Sequence, residues 1–394
     1  MKKELYYLAT LLTCLASTSC NDNFMERHPQ TEIGVDSYFN TEQDLKMYCY
    51  NLYDFPNFNN YVADAGTDNQ ATTDVVEVKN IMISTNANST TVSSGWDWEK
   101  LRTINLFLDN CEKAAVAEDV LAHYQGVARF FRARFYMDKV KRFSDVPWYD
   151  KELGSADPEL YKARDSRELV LTNMIKDIDD AVNSGGLSEK ATPYRVNKWT
   201  ALALKARFCL YEGTYRKYHG INLEGHDYKY YLDLAAETAK QIMDESPYKL
   251  FKTGNPATDY VTLFTKEDAD EGEYMLAIKN DAGLQIFHNA TGYAVMVTQG
   301  RPGLTRKLVN AYLMKDGKKF TDQPGWQEMT FLEETKDRDP RMAQSVRTPG
   351  YTRIGSTTVE APDISVANTG YQLVKFVQAR PPEGDRGDKS TCDM

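Results

Sequence analysis

Residues Val127–Pro147, VARFFRARFYMDKVKRFSDVP, leave little freedom in how this chain can fold. Val127, Phe130, Phe131, Phe135 and Val140 recur at helical spacing, while Arg129, Arg132 and Arg134 are free to reach outward, so the stretch predicts an amphipathic helix. Ser144-Asp145 is a turn signal, and Pro147 lacks the amide donor and crowds the preceding turn, so the helix is expected to end near Phe143. Small side chains at Ala128 and Ala133 let a second helix pack closely, and Trp96–Ala115 just upstream supplies one. A helix with one apolar stripe has to bury it against another element, which points to packed helix pairs.

The pattern repeats along the chain. Ser166–Ser184 is capped by Ser166 and stopped by Gly185-Gly186, Arg195–Gly213 ends on a glycine, and Tyr228–Glu245 begins a further helix. Upstream, Thr41-Glu-Gln-Asp44 is a capping-box variant that opens a helix through Leu45, Tyr48, Leu52 and Tyr53. Antiparallel pairs with small residues at their crossings are the pattern of a tetratricopeptide solenoid, although the strict repeat length is not kept. Other stretches break the period. Residues 54–95 are rich in Asn, Thr, Ser, Asp and Gly, with VVEV and IMIS as short candidate strands. A loop this long in a compact domain usually carries function. Past Pro247, EGEYMLAIK predicts a strand, and LQIFHNATGYAVMVTQG has strand-like and glycine-turn pieces. Thr305–Leu313 predicts a short helix before the Lys315-Asp316-Gly317 turn.

The run ARFFRARFYMDKVKRFSDVPW resembles the signature helix of the SusD/RagB family of outer-membrane nutrient-binding lipoproteins. WEKLRTINLFLDNCE before it, RVNKWTALALKARFCLYEG after it, and then LTRKLVNAYLMKDGKKF, RDPR and TGYQLVKF agree in family order. The resemblance implies a mostly α fold: tetratricopeptide-like helical repeats with long loop-rich insertions and a few short strands. It divides one SusD-like domain, 41–394, into a helical-repeat half at about 96–246 and a loop-rich ligand half at about 54–95 and 247–394. Because ARPPEGDRGDKSTCDM stops without a capping helix, the C-terminal part of such a domain is expected to be missing.

The first residues predict a targeting segment, with Lys2 and Lys3, an apolar run Leu5–Ala16 too short to span a bilayer, and Ser17-Thr18-Ser19 before Cys20. Cys20 resembles the lipidated cysteine of a bacterial lipoprotein; Cys14 competes, but Ser19 is smaller than Thr13 and a polar linker follows Cys20. Residues 1–19 are then a signal peptide and 20–40 an anchor and extended arm, placing the protein on the outer membrane facing the exterior. Cys49, Cys111, Cys209 and Cys392 have no CxxC or zinc spacing, and Cys111 and Cys209 are expected in the core. No further hydrophobic segment reaches spanning length.

A net charge of −10 argues against nucleic acid as a partner, because phosphate binding needs a basic face. Motifs of serine hydrolases, zinc proteases, P-loops and dinucleotide sites are absent, and the five histidines lie apart. Asp97/Glu99 and Asp179/Asp180 are the carboxylate pairs a glycosidase would need, but a first-turn acid at Asp97 and a solvated face at Asp179-Asp180 explain them more simply. No catalytic residue, metal or cofactor is expected; calcium in the acidic loops is supported by no motif. Sugars present apolar C–H faces and a rim of hydroxyls, which an aromatic ring and nearby Asp, Asn, Gln or Arg match. The candidate ligand residues are Trp96 and Trp98, with Tyr61, Asp64, Asp68 and Asn69 from the loop and Tyr293, Gln299 and Arg301 from the second half. The resemblance implies non-enzymatic capture of an oligosaccharide and its delivery to a SusC-like TonB-dependent transporter. A RagB-like peptide binder and a helical-repeat interaction scaffold are the alternatives.

Overall fold

A computed structural model of the chain describes residues 38–53, 63–83, 94–223, 225–281, 290–378 and 392–393, together with positions 88, 90, 92, 284, 286 and 288. The leader, Cys20, the arm up to residue 37 and Tyr61 lie outside the described residues.

Helix α1 (Glu42–Tyr50) starts at the predicted capping box, with Thr41 accepting from the Asp44 amide and the Asp44 carboxylate reaching back. Strand β1 (Gln70–Ala71) and helix α2 (Glu77–Ile83) follow. Helix α2 corrects the two short strands expected from VVEV and IMIS: the β-branched residues suit either state, and propensity over so short a run decides little. Helices α3 (Glu99–Asn110) and α4 (Glu118–Phe143) come next, and α4 ends where the turn signal predicts, with Ser144 at φ 63°. Helix α5 (Arg167–Asn183) uses the Ser166 cap.

Helix α6 (Lys198–His219) differs from expectation at both ends. Asn197 caps its start, and it passes through Gly213 to stop at left-handed Gly220. Gly213 is a crossing rather than a terminus, because a Cβ there would lie 2.7 Å from the Leu232 side chain of helix α7 (Tyr228–Glu245). Glycine therefore lets α6 and α7 pack along their lengths, the most extensive helix contact in the fold, followed by α4 against α5.

Beyond α7 the chain has short elements: α8 (Asp259–Thr265), β2 (Ala277–Ile278), α9 (Ala290–Val295), β3 (Gly303–Leu304), α10 (Arg306–Ala311), α11 (Phe331–Glu334), α12 (Pro340–Ala343) and β4 (Cys392–Asp393). Helix α9 replaces the strand-like pieces expected around residue 293. The strands form two antiparallel ribbons, β1–β3 with Gln70 opposite Leu304, and β2–β4. The architecture is the expected mostly α one, with helical pairs followed by loop-rich chain.

The main core lies between the helical pairs and includes Leu45, Ile104, Phe107, Phe130, Tyr136, Met174, Ile178 and Phe208, with Cys49, Cys111 and Cys209 buried among them. A separate cluster around Tyr293, Val309, Met342 and Leu373 fills the loop-rich half. Charge is buried as well. Arg132 does not reach outward but pairs inside with Asp177 at 2.6 and 2.7 Å, and Arg167 pairs with fully buried Glu212 at 2.6 Å. An inward arginine on α4 is possible because α5 supplies the matching carboxylate, a partner no pattern within α4 reveals. The expected solvated face is only partly that: Asp177 is buried, while Asp179 and Asp180 pair with Lys205 and Lys176.

Candidate functional site

The turn before α3 is held from α4. Gly95 sits at φ 86°, a left-handed conformation suited to glycine, and a Cβ there would lie 2.9 Å from the Arg142 side chain. Lys139 donates to the Gly95 carbonyl at 2.6 Å, and Arg142 donates to the Ser94 carbonyl at 2.9 Å while its guanidinium grips the Glu77 carboxylate at 2.8 and 2.9 Å. Burial pushes the Lys139 ammonium below the usual lysine range. Asp97 accepts from the Glu99 amide at 2.9 Å, but it precedes the helix, and Glu99 is the acid in the first turn.

This turn sets the two tryptophans at right angles, ring centroids 5.1 Å apart and planes at 75°. Trp96 is 41% exposed, and its ring also meets Phe143 at 4.9 Å. Trp98 is half-buried and packs against Phe135, Tyr136 and Tyr149. One ring outward and one inward is the arrangement anticipated for a helix junction.

Opposite α3 runs a strap, residues 147–153, hung on three buried polar side chains and the exposed Asp109. Asn105 donates to the carbonyls of Tyr149 and Lys151 at 2.9 and 3.0 Å, and Arg132 donates to Asn105 Oδ1 and to the Asp150 carbonyl. The Tyr136 hydroxyl accepts from the Tyr149 amide at 2.7 Å, and Asp109 accepts from the Glu152 amide at 2.7 Å. Burial pushes the Tyr136 phenol far above its usual range. Four side chains thereby anchor a strap that has no regular hydrogen-bonding of its own.

Between the tryptophans, the strap and residues 160–164 opens a cavity of about 560 Å³, within the usual range for small-molecule sites. Trp96, Trp98, Leu101, Pro147, Tyr149 and Leu153 give it apolar and aromatic surface. Its charged lining is Arg102, Lys151, Lys162 and Arg164 against the single carboxylate of Glu99. Arg164 lies 4.8 Å over the Trp96 ring. A second cavity, about 300 Å³, adjoins the first through Tyr149, Lys151, Leu153 and Lys162.

The other sequence candidates fall elsewhere. The β1–β3 ribbon gathers Asp64, Asp68, Asn69, Tyr293 and Arg301 into one region, away from the tryptophan cavity. Asp68 pairs with Lys307, the Asn69 backbone carbonyl accepts from the Thr305 amide at 2.8 Å, and Asp64 closes a turn with Thr67. Arg301 donates to the carbonyls of Ser365 and Ile364 at 2.8 and 2.7 Å. Tyr293 is a correction: at 3% exposure it is a core ring, its hydroxyl accepts from Gln70 at 2.6 Å, and burial pushes its phenol up to about 12. Gln299 is half-buried in a turn with Met296. None of these residues lines the tryptophan cavity. Missed from sequence were Asn105, Tyr149, Lys151 and Arg164, because the strap reaches α3 only through long-range hydrogen bonds. His226 stacks on Tyr230 and hydrogen-bonds Glu168, and among the described residues no group of three or more His, Cys, Asp or Glu is placed to hold a metal.

Solved structures share this fold. A SusD-like protein from Bacteroides fragilis superposes with a TM-score of 0.70 at 19% identity, covering 93% of this chain and 74% of its own. A SusD-like carbohydrate-binding protein from the same species does so at 0.68 and 17%, covering 91% and 72%. A structure with xylogluco-oligosaccharide superposes at 0.58 and 15%, covering 89% and 68%. The fold is thus a SusD-like one. The SusD family model matches residues 277–394, and SusD-like protein P25 of Formosa agariphila is 21% identical over 227 residues, 52% of this chain and 42% of that relative. The aligned stretch spans less than half of that relative's length. The family model and the relative are similar to this chain over part of its length, and the solved structures share its fold.

Proposed function

We propose that the protein captures an oligosaccharide in the tryptophan-lined cavity beside α3 and delivers it, chemically unchanged, to a SusC-like TonB-dependent transporter. The observation that carries the reading is the pair Trp96 and Trp98, one ring exposed and one anchored, bordering a cavity of about 560 Å³ whose opposite wall is a strap fixed by buried hydrogen bonds. A preformed aromatic wall suits the apolar faces of sugar rings, and little ordering is needed on binding. Neighbours of the same fold described as carbohydrate-binding, or solved with xylogluco-oligosaccharide, support the ligand class. Lipid attachment at Cys20 would tether the protein beside the transporter and raise the effective concentration of ligand there, so modest affinity suffices. No described helix is long and apolar enough to cross a membrane. No catalytic step is part of this reading.

A relative that captures basic peptides would need an acidic cleft, and the lining here is four cations against one carboxylate. The test is an affinity-gel and glycan-array screen of the protein with Trp96→Ala beside it. Binding that disappears in the still-folded variant supports capture at this cavity; binding of no glycan by a folded protein removes the reading, and hydrolysis of a bound glycan removes its non-enzymatic part.

A further inference from the structure

The cavity is basic in a chain whose net charge is −10, so its cations are a local feature and not a reflection of overall composition. They are also unequally occupied. Arg102 is paired with Glu152 at 3.0 Å, and Lys162 with Asp165 at 3.0 Å, while Lys162 also donates to the Trp148 carbonyl. Arg164 and Lys151 are exposed and have no carboxylate within ion-pair distance among the described residues. On the acidic side, Asp97 is taken up by the Glu99 amide, which leaves Glu99 as the carboxylate that lines the space.

Arg164 is placed in a particular way. Its guanidinium lies over the Trp96 indole at 4.8 Å, and among the described residues no carbonyl or carboxylate accepts from its N–H groups. A neutral sugar seeking that face of the ring would have to displace the guanidinium. A sugar bearing an anionic group keeps it, accepting from the N–H edge while its own ring lies against the neighbouring aromatic surface. Lys151 lines the tryptophan cavity as well and supplies a second positive charge there; the adjoining cavity carries Asp150, Glu159 and Asp165, so the basic lining belongs to the tryptophan cavity.

We infer that the ligand is an anionic oligosaccharide, one carrying carboxylate or sulfate groups, held by Arg164 and Lys151 at the edge of the tryptophan cavity. The inference rests on the reading of this cavity as a glycan site. The two sources of negative charge share one chemistry, recognition by exposed cations beside an aromatic wall, and are separated by the choice of probe.

The experiment is calorimetric titration of the protein with a hexameric oligogalacturonide and with the same oligomer after carboxyl reduction, which is neutral. A heparin-derived hexasaccharide and its desulfated counterpart form the second pair. The same titrations are run on Trp96→Ala and on an Arg164→Gln, Lys151→Gln double variant checked by its circular-dichroism melt. The expected result is binding of the galacturonide roughly tenfold tighter than its neutral, carboxyl-reduced form, or of the sulfated oligomer roughly tenfold tighter than its desulfated form, which keeps only its carboxylates; the advantage falls in 0.5 M salt and collapses in the double variant, as for exposed charge pairs. The carboxylate pair responding alone identifies uronic acids, and the sulfate pair alone identifies sulfated chains; each supports the inference. Equal binding within both pairs, lost in Trp96→Ala, overturns the anionic class and leaves the glycan site standing. No binding of either acidic oligomer overturns the anionic class, and binding of no glycan in the array screen removes the glycan site with it.

Discussion

Trp96 and Trp98 are two residues apart, yet each has a different amount to lose. Trp96 is 41% exposed, so Trp96→Ala is expected to change stability by less than about 1 kcal/mol while lowering glycan affinity tenfold or more. Trp98 packs among Phe135, Tyr136 and Tyr149, and Trp98→Ala is expected to cost about 3 kcal/mol in a denaturant melt. Equal destabilisation by both would contradict the division of labour. Glu168 offers a titrating test at the same scale. Burial raises its carboxyl, but hydrogen bonds from His226 and Arg216 outweigh that and hold it below its ordinary value of 4.5. A folded value below the unfolded one means that the unfolded chain takes up the proton first. The stabilisation is therefore complete above pH 4.5 and is lost as pH falls through the folded value. Glu168→Gln should flatten the acid limb of a stability-versus-pH curve, and an unchanged slope would show that this carboxylate is not responsible for it.

At the scale of elements, α4 organises the site without lining the cavity. Its buried face pairs Arg132 with Asp177 of α5 and hands the remaining guanidinium donor to Asn105 and the strap, while Lys139 and Arg142 two turns on hold the tryptophan turn. Arg132→Met leaves Asp177 buried without its ion partner and is expected to cost about 3–5 kcal/mol. Adding Asp177→Leu should recover much of that loss, because two apolar groups can replace a buried pair that neither alone can. Even so, the double variant should bind glycan more weakly than the parent, since Asn105 and Asp150 lose the guanidinium that orders the strap. Full recovery of binding along with stability would mean that the strap is held well enough without α4. The packing of α6 on α7 makes a simpler case: a methyl at Gly213 would sit 2.7 Å from Leu232 and 3.0 Å from the Tyr228 carbonyl, so Gly213→Ala should cost about 2 kcal/mol despite its better helix propensity.

For the whole molecule, ligand bound only by the native state adds about 2.7 kcal/mol at a ligand concentration of 100 Kd, so a binding glycan should raise the melting temperature of the protein and leave that of Trp96→Ala unchanged. A rise in both would place the ligand somewhere other than this cavity. Much of this molecule was legible in the chain. The start of α1, the end of α4 and both ends of α5 and α7 followed from Thr41, Ser144, Ser166 and the spacing of apolar residues, because caps and turns act over a few residues and periodicity is a local property. The tryptophan pair was legible too, since a helix junction flanked by polar loop leaves one ring outward. What the local pattern could not decide was which polar residue meets which. Arg132 looked like a surface group until α5 brought Asp177 to it, Tyr293 looked like a binding platform until Gln70 and the second core closed around it, and Arg164 gained its place over Trp96 only when residues 160–164 folded back against α3. The sequence alone determined the long helices and their apolar faces, with the caps at Thr41 and Ser166 and the stop at Ser144, but not the ends of α6 or the helical state of α2 and α9. The tertiary structure decided which charges are buried, which aromatic rings remain open and which cations face the cavity, because those depend on partners far away in the chain.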